Sequence, residues 1–350
     1  MSAPGSTSGA GRPVNSSIRF DRPMADPNQW AFPSSLQPRA VDLRFDLAAA
    51  MNAVVALRAE VPEDAFTASI LGTERTGNGV VIGDDGLVLT VGYLITEAET
   101  IWLTSNDGRV VPATPLAYDF ASGLGLVQPL APLDLPPLAL AQPGALAALD
   151  EGSEVYALGH GGRAHALAAR VFAKREFAGY WEYLLDEALF TRPPHPEWSG
   201  AALVDDEGRL VGLGSLFVQE RDGDDEIKGN MFIPVELLAP ILDELRRYGA
   251  RRAPARPWLG IYTAEDEGRL IVQGVATGGP AERAGVRPGD VVVEASGVRV
   301  ATLPEFYRAV WRSGSAGVAV PLVLTRGGAS RTVELGSADR ESFLKKPRLQ

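Results

Sequence analysis

The sequence contains no cysteine, which excludes disulfides, thiol nucleophiles and cysteine metal sites. Histidine is nearly absent too: His160, His165 and His195 are the only imidazoles, too few for a histidine-rich metal centre. Positive charge is also short. At a formal net charge of −11 the chain lacks the basic balance that nucleic acid or an anionic membrane surface requires, so neither is expected as a partner. No apolar run reaches the roughly 18–20 residues of a membrane-spanning helix. The first residues, MSAPGSTSGAGRP, hold no apolar stretch of the kind a secretory leader uses. A soluble, cytoplasmic protein is therefore expected, with no metal and no cofactor.

What is present suggests about two domains: 350 residues, 45% of them apolar, with 38 Gly and 26 Pro that favour many short strands over long helices. Residues 1–40 are rich in Ser, Gly and Pro and read as a disordered arm, with Trp30 and Phe32 at its end either incidental or docking on a neighbouring subunit. Residues 41–250 form the first large unit. Within it, short β-branched runs alternate with turns such as Asp85-Gly86, Asp107-Gly108 and Glu207-Gly208, which tolerate positive φ and suit hairpins, so a barrel or sandwich is expected. A helix is expected over 234–248, with Leu237, Leu238, Ile241, Leu242 and Leu245 on one face and Gly249 as its stop. Arg246, Arg247, Arg251, Arg252 and Arg256 read as a solvated helix end running into a Pro/Arg linker at 251–257. The acidic run Asp222, Asp224, Asp225 and Glu226 lacks the spacing of an EF-hand loop and reads as a solvated hairpin tip. Residues 258–340 read as a smaller α+β unit, in which Thr302 and Glu305 form a capping box opening a helix at 303–312; residues 341–350 read as a tail.

The run Gly279-Pro280-Ala281-Glu282-Arg283-Ala284-Gly285-Val286-Arg287-Pro288-Gly289-Asp290-Val291-Val292 resembles the signature of bacterial PDZ domains, where a short helix and a Gly-Asp turn lead into a core strand. The resemblance implies that Trp258, Leu259, Gly260 and Ile261 form the loop and strand edge that hold a peptide's terminal carboxylate on backbone N–H groups. It also implies that Phe306, Tyr307 or Val310 line the pocket for the terminal side chain, ordinary core packing being the alternative. Protein or peptide C-termini are the partners so implied.

Upstream, the chain resembles the trypsin-like domain of the HtrA (Deg) proteases. The segments carrying this are Gly77-Asn78-Gly79-Val80-Val81-Ile82, Asp85-Gly86-Leu87-Val88-Leu89-Thr90, the stretch 119–127, Ala157-Leu158-Gly159 and Phe232-Ile233-Pro234-Val235. The implied fold is mainly β: a trypsin-like double six-stranded β-barrel followed by an α+β PDZ domain. The family cleaves peptide bonds with a His–Asp–Ser triad, in which imidazole takes the serine proton and a carboxylate fixes its tautomer. Here the motif Leu89-Thr90-Val91-Gly92-Tyr93 puts Tyr93 at the His position, and Ser122-Gly123-Leu124 puts Gly123 at the Asp position. A tyrosine is mostly protonated at neutral pH and is no equivalent base. Ser199 keeps the nucleophile position, but Glu197 replaces the glycine that gives an oxyanion-hole N–H. A His195–Ser199 dyad is a remote alternative, while His160 and His165 read as surface or packing residues. Losing the base alone costs about a million-fold in turnover. The expected function is therefore a catalytically silent HtrA-like scaffold, adaptor or chaperone-like regulator. The alternatives are a serine endopeptidase using Ser199 with a non-standard base, and an inactive subunit regulating an active relative. By resemblance, a homo-oligomer, most simply a trimer, is implied, with Trp30 and Phe32 as contacts.

Overall fold

The computed structural model describes residues 30–222 and 225–346. Six strands, β1 (Val54–Glu60), β2 (Glu74–Val81), β3 (Val88–Val91), β4 (Thr100–Thr104), β5 (Val110–Tyr118) and β6 (Leu124–Pro129), close into a barrel in the order β1-β2-β3-β6-β5-β4. A second barrel contains β7 (Glu154–Leu158), β8 (Ala166–Gly179), β9 (Tyr183–Arg192), β10 (Ala202–Val204), β11 (Leu210–Asp222) and β12 (Asp225–Pro234), in the order β10-β11-β12-β9-β8-β7. The period-two pattern behind these strands is plain in β4, where Ile101 and Leu103 are buried and the intervening Trp102 is exposed. Barrel closure leaves no free sheet edge to aggregate.

The barrels meet where the glycine-bearing stretch of β2 abuts the turn after Trp198. The Asn78 N–H donates to Ser199 O at 2.7 Å, and Gly200 N–H donates to Gly214 O at 2.8 Å. Gly200 sits at φ +72°, and a Cβ there would lie 1.9 Å from the Asn78 carbonyl oxygen, so glycine is what allows the two barrels to approach this closely.

A third unit is a six-stranded antiparallel sheet: β13 (Ile261–Asp266), β14 (Arg269–Val275), β15 (Val291–Ala295), β16 (Val298–Arg299), β17 (Ala319–Arg326) and β18 (Ala329–Gly336), with β16 paired to β15. The helix Leu303–Trp311 covers it, burying Phe306, Tyr307 and Val310, and opens on the expected capping box of Thr302 and Glu305. Asp290, fully buried, accepts from Arg326 Nη2 at 2.7 Å and from the Arg287 N–H at 3.0 Å, pinning the Gly-Asp turn.

Several expectations need correction. The helix expected over 234–248 is split into a 3₁₀ turn at Val235–Leu237 and an α-helix at Leu242–Tyr248. Pro240 explains the break, since it lacks an N–H and disfavours helical backbone at the residue before it. Residues 30–40 do not stand apart as an arm: the Phe32 N–H bonds Ala164 O, the Ala168 N–H bonds Leu36 O, and Phe32 and Leu36 pack on the second barrel. Two of the arginines are engaged rather than merely solvated. Arg251 donates to Asp119 at 2.7 Å, and the Arg256 guanidinium lies 4.2 Å from the centre of the Trp311 ring. The tail returns to the first barrel, with Phe343 packed between Phe66 and Trp258 and the Lys345 N–H donating to the Glu97 carboxylate at 2.8 Å. Of the acidic run, Gly223 and Asp224 lie outside the described residues; Glu226 pairs with Lys228 at 2.9 Å.

Candidate functional site

Ser199 lies at the barrel junction. Its hydroxyl is 2.6 Å from the Tyr93 hydroxyl, which lies 2.9 Å from the Ser215 carbonyl oxygen. A phenol has one proton, and the carbonyl can only accept, so that proton goes to Ser215. The serine hydroxyl therefore donates to the phenol oxygen. Burial pushes the Tyr93 hydroxyl well above the ordinary tyrosine range. Tyr93 is held in place from behind by buried Arg75, whose Nη1 donates to Tyr93 O and Thr96 O, each at 2.8 Å.

Gly123, at φ +79°, is packed against Tyr183: a Cβ there would lie 2.9 Å from the Tyr183 hydroxyl and 3.2 Å from Ile233 Cδ1. That hydroxyl donates to Ser122 O at 2.7 Å, so a tyrosine ring fills the space beside this position. Sequence reasoning missed Tyr183, because it lies on β9 of the other barrel.

The third departure concerns Glu197. Its N–H donates to His195 Nδ1 at 3.1 Å, which takes this backbone donor away from any oxyanion. His195 Nε2 then faces His165 O at 2.9 Å. With Nδ1 accepting, Nε2 carries the proton, and burial pushes the His195 pKa down to about 4, so the ring is neutral. Both its nitrogens face groups other than Ser199, and the expected alternative of a His195–Ser199 dyad is not formed. The Glu197 side chain does not point its charge at the nucleophile either. Its Oε1 accepts from Trp30 Nε1 at 3.0 Å and its Oε2 lies 3.8 Å from His165 Nδ1. Burial works against this carboxylate, but the neighbouring His165 ring and the Trp30 N–H outweigh it and hold its pKa below the usual value. The Trp30 ring packs against His165 and Phe32, with centroids 4.2 Å and 5.1 Å away. Trp30 and Phe32 thus dock on their own chain beside the nucleophile loop. His160 Nε2 meets Ser105 O at 3.2 Å, away from Ser199.

In the third unit, the residues expected to receive a carboxylate do receive one, and it is internal. The Glu182 side chain, from the turn between β8 and β9, accepts the N–H of Leu259 at 3.2 Å, of Gly260 at 2.7 Å and of Ile261 at 3.2 Å. Tyr307 is not a free pocket wall: its hydroxyl donates to Gly179 O at 2.7 Å and accepts the Glu182 N–H at 3.2 Å. Phe306 and Val310 are fully buried core residues. Trp258 turns toward the first barrel, stacking near Phe66 and Phe343 rather than lining a groove. Glu182 had no sequence signal, since an acidic residue at a hairpin tip usually points into water.

Burial pushes the Glu182 carboxyl up to about 7, while the Leu259, Ile261 and Gly260 N–H groups and the charge of Arg340 pull it down. Tyr307 and Tyr262 face it from the helix and β13. A carboxyl whose pKa is raised in the folded state stabilises that state in its protonated form. The stabilisation is complete below its ordinary value of 4.5 and is lost as pH climbs through about 7. Amide exchange at Leu259, Gly260 and Ile261, corrected for intrinsic rates, should therefore be most protected in mild acid and lose protection between about pH 6 and 8. Flat protection across that window would contradict this.

Among the described residues no group of three or more His, Asp or Glu side chains is placed to hold a metal ion, and no helix is long and apolar enough to cross a membrane. A cleft of about 930 Å³ on the second barrel, lined by residues including Gln37, Arg39, Tyr156, Arg170 and Lys228, contains none of the expected site residues.

Comparison with known proteins agrees with this architecture. Residues 77–213 match the trypsin-like peptidase domain family and residues 257–336 match the PDZ domain family. A probable periplasmic serine endoprotease, DegP-like, of Hahella chejuensis is 29% identical over 274 residues, covering 73% of this chain and 55% of that protein. Serine protease PepD of Mycobacterium tuberculosis is 29% identical over 310 residues, covering 80% of this chain and 65% of its own length. The chain thus spans about half to two thirds of the curated relatives it matches. Among solved structures, the HtrA-type protease AlgW with a decapeptide superposes with a TM-score of 0.51 at 19% identity, covering 87% of this chain and all of that one, a likeness of fold. The cytoplasmic expectation is overturned. The relatives from Hahella chejuensis, Halomonas elongata and Haemophilus influenzae are named as periplasmic, which points to the periplasm, and the first thirteen residues were too slim a basis for the opposite reading.

Proposed function

From an HtrA-like chain, in which a trypsin-like peptidase domain precedes a PDZ domain, we infer a catalytically silent, peptide-binding scaffold, adaptor or chaperone-like regulator. One observation carries the silent reading: the Ser199 hydroxyl donates to the neutral phenol of Tyr93 where a base would have to accept its proton. The diversion of the Glu197 N–H to His195 and the crowding of Gly123 by Tyr183 support it. In this reading Ser199, Tyr93, Gly123 and Glu197 mark the relic of a catalytic site. Leu259, Gly260 and Ile261 form the cradle for a carboxylate, and C-terminal peptide segments are the partners. Assembly into a homo-oligomer belongs to the same proposal.

The second reading, a working serine endopeptidase, is favoured by the names of the relatives, which are serine proteases. The two are separated by a fluorophosphonate probe together with unfolded casein. The silent reading expects labelling of Ser199 at background and casein turnover about a million-fold below that of an intact triad, unchanged by Ser199→Ala. Stoichiometric labelling, or casein cleavage abolished by Ser199→Ala, would establish the endopeptidase instead.

A further inference from the structure

We propose that Glu182 is a built-in stand-in for a peptide's terminal carboxylate, so that the β8–β9 hairpin tip occupies this chain's own PDZ cradle and must withdraw before an external C-terminus can enter. The inference rests on the peptide-capture reading above and adds how the site is regulated.

Three observations support it. First, the cradle's donors converge on one internal group: the N–H groups of Leu259, Gly260 and Ile261 all reach Glu182 Oε1, at 3.2, 2.7 and 3.2 Å. Successive backbone N–H groups aimed at one carboxyl group are what a PDZ loop offers a chain terminus. Second, Glu182 adopts φ +61°, a left-handed conformation that glycine adopts freely and glutamate pays for. A glycine would make the easier turn, so the side chain is the reason for glutamate there. Third, the hairpin is held against the helix of the PDZ unit. Tyr307 bonds both Gly179 O and the Glu182 N–H, Leu184 is buried with the core of the PDZ unit, and Arg308 of its helix pairs with Glu176 of β8 and with Asp186 of β9 at 2.9 Å. The helix that would clasp an added strand packs on this hairpin, and Ile261, at the head of β13, bonds its Glu182.

An incoming ligand must therefore carry what Glu182 carries. An extended segment with a free terminal carboxylate can replace its bonds one for one; an internal segment brings no terminal oxygen to the three N–H groups, and an amidated terminus brings only a neutral carbonyl, a weaker acceptor. Apparent affinity falls by the fraction of molecules in which the hairpin is withdrawn.

The test uses the full chain and a fluorescein-labelled peptide ending in valine, as the free acid and as the C-terminal amide. Two variants are compared with the parent: Glu182→Gln, which keeps the shape, and Glu182→Gly, which also relieves the left-handed turn and so favours folding. Glu182→Gly is expected to bind the acid at least about tenfold more tightly than the parent, with no gain for the amide, while amide exchange at Leu259–Ile261 accelerates. Glu182→Gln should fall between. Equal affinity for the acid in parent and Glu182→Gly, or unchanged exchange at the three amides, overturns the gate while leaving peptide capture standing. Freed amides with no preference for acid over amide would instead remove peptide capture, and the gate with it.

Discussion

Tyr93→His is expected to leave the protein with fluorophosphonate labelling near background and with casein turnover at least about 10⁴-fold below that of an intact triad, even though it places an imidazole beside the serine. Two independent deficits would remain. A histidine at 93 would have no carboxylate to fix its tautomer, because Gly123 has none, and loss of that carboxylate alone costs about 10⁴ in turnover. The Glu197 N–H would still be committed to His195 Nδ1, and removing one oxyanion donor costs roughly a further 10²–10³. Nor can the carboxylate simply be added. At Gly123 the backbone is at φ +79° and a Cβ would crowd the Tyr183 hydroxyl at 2.9 Å, so Gly123→Asp should lower stability by roughly 2–5 kcal/mol. Denaturation midpoints measured alongside labelling separate the two effects. Brisk casein hydrolysis by Tyr93→His alone would mean that the site is one substitution from activity, and would contradict this account.

Gly200→Ala should be the most damaging single-methyl substitution at the barrel junction. Its Cβ would lie 1.9 Å from Asn78 O and 2.8 Å from Asn78 C, and both are backbone atoms. Neither side can yield easily: the Asn78 N–H is bonded to Ser199 O, its side chain donates to Glu197 O at 2.9 Å, and the Gly200 N–H is bonded to Gly214 O. The left-handed φ adds its own cost. A loss of at least about 4 kcal/mol is expected, a large part of the 5–15 kcal/mol that typical domains possess. Gly108→Ala is the control. It shares a left-handed φ of +85° but meets nothing within 4 Å, so it should cost only about 1 kcal/mol. Similar midpoints for the two variants would show that the junction is looser than described.

What the sequence disclosed follows from which interactions are local. The Gly279–Val292 run, the Thr302–Glu305 capping box and the hairpin turns each depend on residues a few positions apart, so both folds were legible. Tyr93 and Gly123, proposed above as emptied positions, were open to sequence reading because short motifs flank them. The replacements were not. Tyr183, which fills the space at Gly123, lies 60 positions on and in the other barrel; its hydroxyl bonds Ser122 O across that gap. His195 withdraws the Glu197 N–H through a ring orientation that only the packing of Trp30, Phe32 and His165 defines. Glu182 was read as nothing at all, because its partners Leu259, Gly260 and Ile261 come from another domain. The break at Pro240 is of another kind: the helical spacing of Leu237 to Leu245 outweighed a proline whose effect is strictly local.

The return of the tail bears on how the PDZ unit could move. Both ends of that unit are moored to the first barrel, through Trp258 and Phe343 against Phe66 and through Lys345 against Glu97, whereas its cradle is filled from the second. Withdrawing the hairpin would therefore not set the unit adrift.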